Sequence, residues 1–198
     1  LVLGGAGTVV NASSGTLTLS GANTFNGGLI VSNGVVNLNS SSVAGAGAAG
    51  TGTITLAGGL IQNTSGGAVT VSNNIVAQTG TTSTIRMNGQ DVNIFGNISG
   101  SGNLIGAYTG SGTHQISLNG DNSGFTGTCT VNNASTIRFR FNAASAGSAN
   151  AAWVLNNNNT DGQSLGFGNG TIYFGSLSGN GQFRQDFGNA TSILVVGG

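Results

Sequence analysis

The sequence predicts an all-β protein whose residues 1–198 form a single elongated parallel β-helix, or β-solenoid. Three observations favour this fold class. Short runs of apolar residues alternate with Thr, Ser and Asn, the chain has 38 glycines and no proline, and it repeats itself along its length. Alternation with a period of two indicates strands that bury one face, and internal repetition is typical of solenoids.

The composition argues against helices and against several classes of function. Charged residues make up only 4% of the chain, the formal net charge is zero, and lysine and glutamate, which ordinarily cover helical surfaces, are missing. Because there is no basic stripe, we expect no nucleic-acid partner. The longest apolar runs are far too short to cross a bilayer, so we expect no membrane insertion by this segment.

Two copies of a strand-and-turn motif lie 99 residues apart, GTLTLSGANTFNGG at 15–28 and HQISLNGDNSGFTG at 114–127. The matched positions are Leu17, Leu19, Gly21, Asn23, Phe25 and Gly27 in the first copy and Ile116, Leu118, Gly120, Asn122, Phe125 and Gly127 in the second. We expect the apolar side chains to fill the core. Gly and Asn tolerate positive φ and would turn the chain. The second copy would mark where the coil returns to phase.

A shorter motif, apolar-x-Gly-x-Gly-x-apolar, occurs three times, as LGGAGTV, ISGSGNL and LSGNGQF. With further short strands between them, the repeat landmarks near 3–38, 98–139 and 177–198 predict about eight to ten rungs of roughly 20–25 residues. An antiparallel sandwich also fits strands at this spacing. Self-similarity favours the solenoid, because stacked turns require the same inward position to be apolar repeatedly.

Residues 15–38 resemble the autotransporter-associated β-strand repeat of large bacterial surface proteins. That repeat reads Gly-Thr-Leu-x-Leu-x-Gly-x-Asn-Thr-aromatic-x-Gly, followed by a valine strand, and Gly15, Thr24 and Val31 match it together with the motif positions above. The copy at 114–139 departs from it, beginning with His114 in place of the leading Gly. The resemblance implies a right-handed parallel β-helix outside the cell, in which the repeat is a scaffold unit without catalytic residues.

These observations together predict a non-catalytic, extracellular structural segment at a bacterial surface, a stalk or fibre subunit without a cofactor. Its partners would be further copies stacked end to end or adjoining repeats of the same protein. We expect the segment to be an excerpt of a longer array whose export signal lies elsewhere. One alternative is an adhesin or carbohydrate-binding solenoid that contacts cell-surface glycans. Another is a polysaccharide-degrading β-helix, which would need two or three Asp residues close together in one groove.

The candidate ligand or partner surface consists of Arg138, Arg140 and Trp153. In TIRFRF the two arginines share one face of a strand and could hold an anionic group, although a solvated face over an aromatic core is the simpler interpretation. The last third of the chain holds most of the aromatics, Trp153, Phe167, Tyr173, Phe174, Phe183 and Phe187. An exposed aromatic ladder would suit sugar stacking, but we favour rings that stack inside the coil.

The remaining reactive side chains predict no active site and no metal site. His114 has no second histidine to join it and is expected at a turn or exposed edge. Cys129 aligns with Leu29 in the repeat and is expected to fill a small core position. The carboxylates Asp91, Asp121 and Asp161 occur in ordinary turn contexts. Asp186 is expected to form a minor surface pair with Arg184.

Overall fold

The computed structural model describes residues 1–42, 45–133, 137–157, 165–167, 170–181 and 192–197. The only described helix is a single 3-10 turn, Ala144–Ala146, and everything else that is regular is β-strand. The strands, in chain order, are β1 Val9–Asn11, β2 Thr16–Leu19, β3 Leu29–Val31, β4 Val35–Leu38, β5 Ile54–Leu56, β6 Leu60–Asn63, β7 Val69–Val71, β8 Ile75–Ala77, β9 Thr82–Asn88, β10 Val92–Ile94, β11 Ile98–Gly100, β12 Asn103–Thr109, β13 His114–Leu118, β14 Thr128–Asn133, β15 Ile137–Phe141, β16 Ser148–Asn157, β17 Leu165–Phe167, β18 Gly170–Gly179 and β19 Ser192–Val196.

The strands form three sheets, and every pairing between named strands is parallel. The first short sheet has the order β1-β3-β5-β8-β11, the second short sheet β7-β10-β13-β15-β17, and the long sheet β2-β4-β6-β9-β12-β14-β16-β18-β19. Strands that are neighbours in a sheet come from successive passes of the chain, so the chain coils rather than folding back on itself. The predicted fold class, an all-β parallel solenoid, is confirmed, and the antiparallel sandwich is excluded.

One turn of the coil visits the sheets in a constant order. The strands β5, β6 and β7 lie in the first short, long and second short sheets, and β8 then returns to pair with β5. Paired residues of successive turns lie 19 to 26 positions apart, as between Leu17 and Val36 and between Phe139 and Leu165. The predicted rung length of about 20–25 residues is therefore close to the observed one.

The number of turns is lower than the sequence predicts. About seven turns contribute strands to two or three of the sheets, whereas we expected about eight to ten rungs. In the described residues, β18 and β19 extend only the long sheet, which reaches nine strands. Since adjacent strands lie about 4.8 Å apart, this sheet is about 40 Å long in the stacking direction. The right hand of the coil stays a prediction.

The core is a narrow column that runs through the inside of the coil. In the first short sheet Leu29, Ile54, Ile75 and Ile98 stack in register, and each is at most 5% exposed. Their neighbours within each strand face outward, because successive side chains of a strand point to opposite faces. Burying one such side chain contributes about 1.5–3 kcal/mol, and every turn repeats that contribution at the same place.

The inside of the coil is closely packed around the aromatic residues that the structure describes. Gly106 of β12 occupies an inward position, and the ring of Phe139 fills the space that a side chain would otherwise take. A cavity of about 10 Å³ remains beside Leu104, Cys129 and Trp153. That volume corresponds to about one water molecule. This cavity is therefore too small for an organic ligand.

Polar side chains stack on the outer face of the long sheet as apolar ones do inside. Arg86 donates through Nε to Oε1 of Gln62 at 2.7 Å, and Gln62 donates to Oδ1 of Asn37 at 2.6 Å. Asn37 in turn donates to Oγ1 of Thr18 at 3.0 Å. This ladder joins four successive strands, so hydrogen-bonded side chains link the turns in addition to the backbone.

Candidate functional site

The asparagine of the first motif copy is a buried bridge between turns. Asn23 is 1% exposed, and its Oδ1 accepts a hydrogen bond at 2.8 Å from the amide of Leu3, in the preceding turn. Its Nδ2 donates at 2.7 Å to the carbonyl of Ala48, in the following turn. The side chain therefore ties three turns together, a role that goes beyond turning the chain.

Asn122, the equivalent residue of the second copy, makes the same pair of contacts. Its Oδ1 accepts from the amide of Ile98 at 2.7 Å, and its Nδ2 donates to the carbonyl of Ala146 at 2.8 Å. Asn73 is a related case, since its Oδ1 accepts from the hydroxyl of Ser42 at 2.8 Å and its Nδ2 donates to the carbonyl of Gly52 at 2.7 Å. Both partners of Asn73 lie in the connection between β4 and β5, so it bonds to the preceding turn only. Buried amides that bond to an adjacent turn recur along the coil, and Asn23 and Asn122 bond to the turns on both sides.

The four glycines of the motif lie where successive turns touch. A Cβ atom on Gly21, Gly27, Gly120 or Gly127 would come within 3.0 Å of a backbone carbonyl oxygen of the preceding turn. None of the four has a positive φ. The sequence argument for glycine at these positions, freedom to turn, was therefore wrong. Glycine is needed because any side chain would push two turns apart.

The two copies of the motif lie on different faces of the coil. The strand of the first copy, β2, belongs to the long sheet and is followed by β3 of the first short sheet. In the second copy β13 belongs to the second short sheet and is followed by β14 of the long sheet. The coil does not return to the same phase after 99 residues. The motif is a unit of strand, corner and strand. It connects the long sheet to the first short sheet in one copy and the second short sheet to the long sheet in the other.

The apolar residues of the motif lie in the core, with one exception. Leu19, Phe25, Ile116, Leu118 and Phe125 are at most 5% exposed. Leu17 is only partly buried against the core. It lies on β2, the outermost strand of the long sheet in the described residues, so only one neighbouring turn covers it.

His114 contacts a carboxylate that no sequence motif places beside it. Nδ1 of His114 lies 3.0 Å from Oδ1 of Asp91, which also accepts from the amide of Gln115 at 3.0 Å. The ring of Tyr108 lies 5.7 Å from that of His114. The histidine is half-buried at the start of β13, which agrees with an edge position. Its partner comes from the preceding turn, so only the register of the sheets brings the two residues together.

The described carboxylates do not form a pair. Asp91 precedes β10 and Asp121 follows β13, so the two residues lie at opposite ends of the second short sheet. Asp161, Asp186 and its expected partner Arg184 lie outside the described residues. Within the described part of the chain, no group of three His, Cys, Asp or Glu side chains could hold a metal ion.

Cys129 lies in the core, although not at the position of Leu29. It is 1% exposed and lies between Leu104 and Trp153 in the long sheet, whereas Leu29 belongs to the first short sheet. Burial raises the pKa of the Cys129 thiol to about 12. A buried, protonated thiol is a packing group rather than a nucleophile.

Trp153 is not part of an outer surface. It is 2% exposed, and its ring meets those of Phe141 at 4.9 Å and Phe174 at 5.1 Å, with Phe125 and Phe139 slightly farther away. Strand alternation places it on the inner face with Ala151 and Leu155, both of which are buried. The prediction that Trp153 could contact a ligand was wrong, and the preferred interpretation of rings inside the coil holds for it.

Arg138 and Arg140 lie half-buried on the outer face of β15, beside Gln115 and Ser117 of β13. The alternate residues Phe139 and Phe141 are buried. The expected division of this strand into a cationic outer face and an aromatic inner face is therefore present. A ligand or partner for the arginines stays a prediction.

Phe95 is an outward aromatic ring close in sequence to an open groove, and no motif in the sequence indicates either feature. Phe95 is 55% exposed, and it follows the buried Ile94 directly, so alternation alone could have placed it outside. Two residues later, Asn97 lines an open groove of about 330 Å³, together with Asp121 and Ser123 of the next turn.

A known protein is similar to this chain over most of the chain's own length. The adhesin BmaC autotransporter of Brucella suis biovar 1 (strain 1330) is 32% identical over 142 residues, which cover 70% of this chain. The chain spans only 4% of the length of that adhesin. No protein-family model and no solved structure matches the chain. In the described residues no helix is both long and apolar enough to cross a membrane. The similarity and the solenoid fold together fit a bacterial surface or extracellular scaffold or adhesin.

Proposed function

We propose that the chain is a non-catalytic extracellular scaffold, one rigid segment of a bacterial surface protein that holds other parts away from the cell. The observation that carries this proposal is the repeated tie between turns, in which Asn23 and Asn122 each bond to the turn before and the turn after. A coil whose turns are joined by backbone, buried amides and outer ladders resists bending and local opening. The similarity to an autotransporter adhesin supports the surface location.

The packing of the coil favours a scaffold over a polysaccharide-degrading enzyme. Hydrolysis of a glycosidic bond ordinarily requires two carboxyl groups within about 5–9.5 Å. Asp91 and Asp121 lie at opposite ends of a sheet, and Asp91 is already bonded to His114. The cavity of about 10 Å³ at the described aromatic cluster is too small for a sugar ring.

We further propose that the repeats belong to the autotransporter-associated class and that the coil continues by stacking. In the described residues the long sheet ends at β2 on one side and β19 on the other. An outermost strand presents a row of backbone groups that can pair with another strand. The partner would be an adjoining repeat of the same protein or a second copy, as the sequence predicts.

The surface location can be tested on intact cells that produce the protein. An antibody raised against residues 1–198 should label unbroken cells, whereas an antibody against a cytoplasmic marker should label them only after lysis. Labelling that requires lysis would contradict the proposal.

The scaffold role can be tested by exchange of the whole segment. An unrelated solenoid with the same number of turns should keep a tag fused after the segment accessible to antibody on the cell. A flexible linker of equal residue number serves as the control and should reduce that access. Loss of access with the solenoid but not with the linker would show that rigidity is not what the segment contributes.

A further inference from the structure

We propose that the groove beside Phe95 binds a neutral sugar chain. This inference rests on the proposed extracellular function and gives it a ligand. The site consists of the exposed Phe95 ring and the groove that begins two residues farther along the chain, which Asn97, Asp121 and Ser123 line together with Val76 and Ile98. The ring and the groove together are called here the Phe95 groove. It lies at the corner between the second and first short sheets.

The register of the coil brings the groups of this site together. Ile94 pairs with Leu118, which places Phe95 next to Asn119 of the following turn. The amide of Asp121 donates to Oδ1 of Asn97 at 2.9 Å, which fixes these two residues one above the other. Along the chain, exposed Phe95 and Asn97 are separated by buried Gly96, so both side chains face outward.

The amide groups at this corner are held in place before any ligand arrives. Asn142 donates from Nδ2 to Oδ1 of Asn119 at 2.9 Å, and Asn119 donates to the carbonyl of Ile94 at 3.2 Å. Asn74 accepts through Oδ1 from the amide of Asn97 at 3.0 Å. Side chains that are already ordered lose little entropy on binding, which favours affinity in a shallow site.

The carboxylate of Asp121 suits the hydroxyl groups of a sugar. Its Oδ1 accepts from the amide of Ser123 at 3.0 Å, and this hydrogen bond holds the pKa of the carboxyl below its usual value. The ionised group accepts hydrogen bonds and repels other anions. Because no basic residue lines the groove, a neutral chain fits better than an acidic one.

The phenyl ring supplies the apolar half of the site. In the same column of the corner, the preceding turn has Ser72 and the following turn Asn119, so Phe95 interrupts a polar surface. Aromatic faces carry partial negative charge and attract polarised C–H groups. A pyranose ring offers such groups on one side and hydroxyls at its edge, which matches a phenyl face beside amide and carboxylate oxygens.

The experiment uses the whole 198-residue chain and immobilised neutral gluco-, manno- and galacto-oligosaccharides, with oligogalacturonate as the anionic counterpart. We expect at least one neutral series to bind and oligogalacturonate to bind more weakly. Phe95→Ser should weaken the binding at least tenfold, since serine already occupies this column at position 72. Phe95→Tyr should keep most of the affinity, and Asp121→Asn should reduce it.

Tyr173→Ser is the matched control, because Tyr173 is 47% exposed but lies on β18 of the long sheet. It should leave binding unchanged, and all variants should melt at the wild-type temperature. The inference is overturned if no neutral oligosaccharide binds the wild-type chain, or if Phe95→Ser binds as well as wild type. Either result would leave the surface labelling and the segment exchange unaffected, so failure of this site is distinguishable from failure of the scaffold proposal.

Discussion

Asn23 and Asn122 make the same two inter-turn hydrogen bonds, although they lie 99 residues apart and at different corners of the coil. In each case one amide group satisfies a backbone N–H of the turn before and a carbonyl of the turn after. Both asparagine side chains are 1% exposed, and both hydrogen bonds of Asn122 are buried, so water cannot replace Asn122 if it is removed.

Asn122→Ala should therefore destabilise the coil strongly. Leaving the amide of Ile98 and the carbonyl of Ala146 unpaired should lower the free energy of unfolding by about 2–4 kcal/mol. Thermal unfolding followed by circular dichroism measures this. Asn150→Ala, which changes an exposed asparagine, is the control and should be nearly silent. Equal effects of the two changes would contradict the bridging role.

The motif glycines predict a second contrast. A Cβ atom at Gly120 would come within 3.0 Å of the carbonyl oxygen of Gly96, whereas one at Gly66 would have nothing within 4 Å. We expect Gly120→Ala to cost about 1–3 kcal/mol through overpacking, and Gly66→Ala to change stability by less than about 0.5 kcal/mol. Chemical denaturation of both variants measures these changes. If Gly120→Ala lowered the free energy of unfolding no more than Gly66→Ala, the turns would not be in close contact at this position.

The buried thiol predicts both a reactivity and a pH dependence. With the pKa of Cys129 raised by burial from 9.0 to about 12, the native protein should not react with a thiol reagent at pH 8, and the denatured protein should react fully. Since the folded-state pKa lies above the unfolded one, the thiol stabilises the fold below pH 9 and loses that contribution as the pH rises towards 12. Compared with Cys129→Val, the wild type should lose stability over this window. Rapid labelling of the native thiol would contradict the burial.

Trp153 offers an optical test of the core, because it is the only tryptophan of the chain. Its native fluorescence should be shielded from acrylamide, and Trp153→Ala should cost about 3–5 kcal/mol. Among the described residues its indole N–H has no hydrogen-bond partner. Trp153→Phe should therefore cost much less than the alanine change. Quenching that is equal in native and denatured protein would place the ring outside the coil.

The sequence was informative where local alternation decides the structure. Ile54 and Leu56 flank Thr55 on a three-residue strand. The structure buries Ile54 and Leu56 and leaves Thr55 half-exposed. Parallel stacking followed from repetition, because a coil needs the same inward position to be apolar on each turn. Alternation also predicts that Phe95 faces outward, next to the buried Ile94, and that Trp153 faces inward with Ala151 and Leu155. Neither prediction was drawn from the sequence.

Contacts between turns could not be predicted, because they depend on register. Asp91 and His114 lie 23 residues apart, and the amide of Asn23 reaches Leu3 and Ala48 in two other turns. Turn lengths vary between 19 and 26 residues, so a constant shift cannot identify neighbours. For the same reason the second motif copy lies on another face.

The central claim, that one continuous stack of turns gives the chain its mechanical role, is tested most directly by native-state amide hydrogen exchange. We predict slow exchange without interruption through the long sheet from β4 to β16. In the first short sheet, the amide of Ile98, which donates to Oδ1 of Asn122, should also exchange slowly. Protection should fall only towards the outermost turns. Fast exchange in the central strands, with protection confined to separate patches, would contradict a continuous coil.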